Sequence, residues 1–112
     1  MRALATLTLV ALLGARARNA IADPAAADSP CARGARYKGP AIDLDVKDAD
    51  LHNLFRFLAD AGSANIAVPD DVKGSITLRL RRVLWEQALC TVVKMKKLEL
   101  RKESSIYYVS NR

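Results

Sequence analysis

Asp70-Asp71-Val72-Lys73-Gly74-Ser75-Ile76-Thr77-Leu78-Arg79-Leu80-Arg81-Arg82-Val83-Leu84-Trp85-Glu86-Gln87-Ala88-Leu89 decides the fold. It holds a turn, a strand and the start of a helix in succession. The two acids and Lys73-Gly74 carry turn chemistry, because short polar side chains bond to nearby amides and glycine accepts a positive φ. Ile76, Leu78 and Leu80 then alternate with polar neighbours, the period of a strand with one buried face. After Val83 the spacing changes. Trp85, Ala88, Leu89 and Val92 fall on one side of a helix, which is expected over 84–96, following a strand over 75–81.

Working back toward the N-terminus, Asn65–Val68 reads as a short strand ended by Pro69, and the brief link to Ser75 predicts that it pairs antiparallel with the strand that follows. Leu51, Leu54, Phe55 and Leu58 form a single apolar helical stripe, with His52, Asn53, Arg56 and Asp60 facing away. Asp48 is placed to cap this helix, and Gly62 to stop it in the left-handed conformation. Before it, Ile42, Leu44 and Val46 alternate with Asp43, Asp45 and Lys47 as a first strand. Toward the C-terminus, Leu98–Arg101 and Ile106–Val109 flank Glu103-Ser104-Ser105 as a hairpin. The expected order is β-α-β-β-α-β-β, an α+β domain over 41–110 whose core includes Leu54, Leu58, Ile76, Leu78, Trp85 and Leu89.

With 112 residues, 51% hydrophobic and 5% aromatic, the chain has room for one small domain. Met1-Arg2, the apolar run Ala3–Ala15 and Ala20-Ile21-Ala22 have the parts of a secretory signal peptide over 1–22. The run is shorter than the roughly 20 apolar residues that span a bilayer, so no transmembrane span is expected after cleavage. Residues 23–40, rich in Ala, Pro, Gly and Arg without periodicity, read as a flexible leader. Removing Arg2, Arg16 and Arg18 leaves 15 basic against 12 acidic residues, so the mature chain is only modestly basic. Its charge is polarised: residues 41–71 carry seven acids against Lys47 and Arg56, and residues 72–102 nine bases against Glu86 and Glu99. Such polarity either steers a charged partner or reflects two solvated faces. Cys31 and Cys90 either pair in an oxidising compartment or leave Cys90 as a half-buried thiol.

No reaction chemistry emerges from these residues. The clustered acids Asp43, Asp45, Asp48 and Asp50 lack the glycine and bidentate glutamate of a calcium loop, and no His or Cys completes a zinc signature. Ser63, Ser75 and Ser104 lie in or beside turns, with no base and oxyanion set around them. No catalytic residue, metal, cofactor or small-molecule substrate is expected. Nucleic acid is the stronger rival, since a β-α-β-β-α core resembles KH-type modules and the second half is basic. The GxxG clamp and the aromatic strand of an RRM are both missing.

Lys47-Asp48-Ala49-Asp50-Leu51, Asn65-Ile66, Asp71 through Leu78, and Trp85-Glu86-Gln87-Ala88-Leu89 together resemble the secretin and TonB short N-terminal (STN) domain, in the version carried by type IV pilus secretins. The resemblance runs from about Ile42 to Val109. It implies a periplasmic, non-catalytic domain of two helices packed between two small sheets. It further implies a partner in the envelope: a secretin, an inner-membrane assembly protein, or an anti-sigma regulator. Leu84 stands where the pilus-secretin pattern has proline, Lys97 where it has glycine, and Ser104-Ser105 where it has a Gly-Asn turn. No channel-forming domain occurs in the 112 residues, so a stand-alone module is expected, in the periplasm and peripheral to the outer membrane. Arg79, Arg81 and Asp43, unexplained by packing, are the candidate partner-binding residues. The alternatives are a truncated secretin remnant without a partner, or a basic module on anionic envelope polymers or nucleic acid.

Overall fold

The computed structural model describes residues 29–112. The expected signal peptide, 1–22, and residues 23–28 of the expected leader lie outside the described residues. The elements are β1 (Ala41–Asp50), α1 (Leu51–Gly62), β2 (Asn65–Ala67), β3 (Ser75–Leu84), α2 (Trp85–Met95), β4 (Leu98–Glu103) and β5 (Ile106–Asn111). This is the α+β order expected from the sequence. The helices lie between a two-stranded sheet, β1-β3, and a three-stranded sheet of order β2-β5-β4.

The strand pairing differs from expectation at one point. β2 does not pair with β3; it runs parallel to β5, while β3 runs antiparallel to β1 over the full length of both. The link between β2 and β3 therefore carries the chain from one sheet to the other. Val72 anchors it, fully buried, with its carbonyl 2.7 Å from His52 Nε2. His52 is half-buried, where the periodicity of α1 predicts a solvated side chain.

The caps of α1 are also shifted. Asp50 rather than Asp48 caps it: its carboxylate accepts from the Asn53 amide at 3.1 Å. Asp48 instead lies at a φ of 50° in a β-bulge. At the other end the left-handed residue is Ser63, not Gly62, and the amides of Ser63 and Ala64 donate to the carbonyls of Asp60 and Ala59, the paired bonds of a Schellman motif. Gly62 is required for a different reason. A Cβ there would lie 2.3 Å from Cε2 of Trp85.

Trp85 is the centre of the core. It is buried where β3 becomes α2, its indole N–H donates to the Leu58 carbonyl, and its ring meets Tyr107 edge-on with centroids 5.3 Å apart. Leu54, Leu58, Ile76, Leu78 and Leu89 are buried around it with Leu44, Phe55, Val92 and Leu100. Among the described residues one carboxylate is buried as well. Glu86 is 3% exposed and accepts a 2.7 Å hydrogen bond from the Tyr107 hydroxyl, which answers the desolvation that would otherwise expel it.

Residues 29–40, within the expected flexible leader, lie against the domain as a strap. Cys31 and Cys90 form a disulfide across a sequence separation of 59. The carbonyls of Pro40 and Lys38 accept from the amides of Trp85 and Glu86 at 2.8 and 3.0 Å. These amides open α2, whose N-cap, Leu84, offers no side-chain bond, so the strap does the capping.

Three outcomes follow. Lys97 adopts a φ of 57°, a left-handed conformation that costs a side-chain-bearing residue about 1 kcal/mol; Lys97→Gly is therefore expected to raise the thermal midpoint by a few degrees. Gly62→Ala is expected to lower it despite alanine's better helix propensity, because Trp85 must move, and loss of near-ultraviolet circular dichroism would report that movement. Burial, followed by the hydrogen bond and charge of Glu86, raises the Tyr107 hydroxyl pKa well above the usual tyrosine range. The unfolded chain then loses this proton first, so this contribution to stability is intact below about pH 10 and declines above it. Chemical denaturation of wild type and Tyr107→Phe across pH 8 to 11 should show a steeper decline for wild type.

Candidate functional site

The β1-β3 ribbon carries the candidate residues, and two bulges shape it. Its register slips between Ile42 and Leu44, where Arg81 and Arg82 oppose Asp43, and between Val46 and Ala49, where Lys47 and Asp48 oppose Thr77. Each bulge has one residue at positive φ, Arg82 at 53° and Asp48 at 50°. In each, a side chain from the opposite strand takes up the amide of that residue: Asp43 Oδ1 accepts from Arg82 at 2.8 Å, and Thr77 Oγ1 accepts from Asp48 at 2.8 Å. An extra residue breaks the ladder locally, and these bonds repair the break while increasing strand twist.

The three residues singled out in the sequence therefore have different situations. Asp43 is committed to holding the bulge. Arg79 faces Asp45 directly across the ribbon, but at 3.9 Å and with side chains 61% and 76% exposed the pair contributes little to stability. Arg81 is exposed and makes no ion pair within 4.0 Å among the described residues. Arg82, also exposed, joins them. The ribbon thus presents three guanidinium groups toward one end, beside the carboxylates of Asp43 and Asp45.

Phe57 was missed by the sequence reading. It lies off the apolar stripe of α1 and is 50% exposed. Together with Leu44, Val46, Ala49 and Leu54 it lines a groove of about 420 Å³ between α1 and β1, with Asp43 and Asp45 at its margin. β1 pairs only with β3 among the described residues, so the edge of β1 beside this groove carries backbone groups without a ladder partner. An aromatic residue outside a helix's own buried stripe was the available signal, and nothing local explained its presence.

Among the described residues no group of three or more His, Cys, Asp and Glu is placed to hold a metal ion. No described helix is long and apolar enough to cross a membrane. What the geometry offers is a twisted ribbon with charge on its exposed positions and an open, partly apolar edge.

No protein-family profile matches the chain. Individual proteins do. The fimbrial assembly protein PilQ of Pseudomonas aeruginosa is 38% identical over 74 residues, 66% of this chain and 10% of that protein. The type IV pilus biogenesis and competence protein PilQ of Neisseria meningitidis is 33% identical over 76 residues, 68% of this chain and 10% of that protein. The DNA utilization protein HofQ of Escherichia coli is 38% identical over 72 residues, 64% of this chain and 18% of that protein. The chain thus spans about a tenth of the length of the PilQ relatives it matches.

Among solved structures, the type IV competence pilus secretin PilQ of Vibrio cholerae superposes with a TM-score of 0.55 at 29% identity, covering 61% of this chain and 16% of that one. The N0 domain of the type II secretin from enterotoxigenic Escherichia coli superposes with a TM-score of 0.58, covering 65% of this chain and 96% of that one; at 15% identity it shows the shared fold. The sequence relatives and the fold agree: the chain belongs to the secretin N-terminal domains, of the kind carried by type IV pilus secretins.

Proposed function

We propose that this domain is a non-catalytic docking module of the bacterial envelope, which binds a protein partner in the periplasm through the β1-β3 ribbon. The observation that carries this reading is the open edge of β1, with the groove under Phe57 on one side and the guanidinium groups of Arg79, Arg81 and Arg82 across the ribbon. An added strand gains main-chain hydrogen bonds from such an edge without requiring special side chains, and the flanking groove and charges select among sequences. Exposed arginines at a rim chiefly speed and orient encounter with an acidic surface.

The relatives support the setting. Their names place them in fimbrial assembly and type IV pilus biogenesis, so the partner is of the kind found in such an assembly: another secretin subunit or an inner-membrane assembly protein. An anti-sigma regulator would suit the same edge in a receptor system. No step of chemistry is assigned to the domain: the one buried carboxylate among the described residues, Glu86, is occupied by Tyr107 within the core rather than presented to a substrate.

The test is in-cell cross-linking followed by mass spectrometry of envelope fractions, comparing wild type with Arg79→Glu/Arg81→Glu and with Phe57→Asp. Both variants alter exposed positions and are expected to fold with stability within about 0.5 kcal/mol of wild type. The arginine reversal should reduce cross-linked partner at least fivefold in low salt, and Phe57→Asp should do so in low and high salt alike. Undiminished cross-linking in both variants would rule out the ribbon as the docking surface.

A further inference from the structure

A second trough, about 560 Å³, lies between α2, β4 and the strap of residues 29–40. Its helical wall is Gln87, Cys90, Thr91 and Lys94, spaced along one face of α2. The opposite wall is Leu98–Arg101 of β4, the outer strand of the three-stranded sheet, whose free edge has no ladder partner among the described residues. Cys31 and Tyr37 of the strap close the third side, and the Cys31–Cys90 disulfide holds that wall against α2.

The charge of the lining is one-sided. Lys94, Arg101 and Arg112 face Glu99 alone, and although Arg101 also reaches Glu103 at 2.7 Å, both of those side chains remain about half exposed. A bare strand edge beside a basic rim is suited to an extended peptide with acidic side chains. The edge supplies main-chain bonds and the rim supplies selectivity of sign.

We propose that this trough takes an extended acidic segment of a partner protein as an added strand on β4, and that the disulfide creates the site by fixing its strap wall. The site is separate from the ribbon and does not depend on it. A basic segment meets repulsion at Lys94, Arg101 and Arg112. An anionic polymer would be held by charge alone, and would be indifferent to both the strand edge and the disulfide.

The experiment titrates the ¹⁵N-labelled full chain with a capped octapeptide of alternating valine and glutamate, and separately with its valine–lysine counterpart. The acidic peptide should shift amide resonances of Leu98–Arg101 and of Gln87–Lys94, with the basic peptide at least tenfold weaker. Lys94→Glu/Arg101→Glu should weaken the acidic peptide at least tenfold, as should Cys31→Ser/Cys90→Ser in a chain that keeps its dispersed amide spectrum. Thr91→Trp fills the trough with the disulfide intact and should abolish binding, which keeps the idea testable if the serine pair fails to fold. Arg79→Glu/Arg81→Glu should leave the affinity unchanged, so the fate of this site and that of the ribbon are read apart. Equal affinity for the two peptides, shifts confined to β1 and β3, or full binding by the Thr91→Trp chain would overturn the proposal.

Discussion

The seat of the Trp85 indole is the constraint on which most of this small domain depends. From the first residue of α2 the Trp85 side chain meets α1, the strap and the three-stranded sheet. Gly62 of α1 and Gly39 of the strap lack side chains where it passes, since a Cβ at Gly39 would lie 2.8 Å from Trp85 Cβ. Its N–H is satisfied by the Leu58 carbonyl, and its edge meets Tyr107. A domain of this size has few large side chains with which to build a core, so one aromatic touching several elements at once is an economical solution. The position in the chain matters equally: with β3 ending at Leu84, fixing Trp85 fixes where the strand stops and the helix starts.

Around that seat, polar groups are satisfied by neighbours distant in sequence. Strap carbonyls cap α2, Tyr107 answers Glu86, the Val72 carbonyl meets His52, and Asp43 and Thr77 take up the amides left over by the two bulges. These bonds are individually modest; losing the Tyr107–Glu86 bond would leave a buried carboxylate unpaired, where the larger penalty lies, whereas the two bulge bonds are exposed to water. They give Asp43, which the sequence singles out as a candidate partner-binding residue, a structural duty in the ribbon.

Much of the architecture was legible from periodicity. The α1 stripe, the alternation of Ile76, Leu78 and Leu80, the helical spacing from Trp85 and the final hairpin all express local rules, and each element formed where its pattern lay. Strand pairing was not legible in the same way, because it is decided by long-range burial. The short link after β2 suggested a neighbour in the same sheet, whereas Val72 turns it into a passage between sheets. The bulges were hidden for a related reason: Asp48 and Arg82 adopt positive φ without being glycine, so nothing in their identity announced it. Of the candidate site, the exposed arginines were readable as residues that packing did not need. Phe57 and the edge of β1 were not, since an edge exists only once every other strand has found its partner.

The strap has a mechanical consequence. A pull on Cys31 from its N-terminal side passes across the disulfide into α2 at Cys90. The load bypasses β1, which would otherwise be the first strand to be peeled from the ribbon one bond at a time. In a domain pulled from its N-terminal side, the covalent cross-link sets the load path, and the β1-β3 ribbon lies outside it.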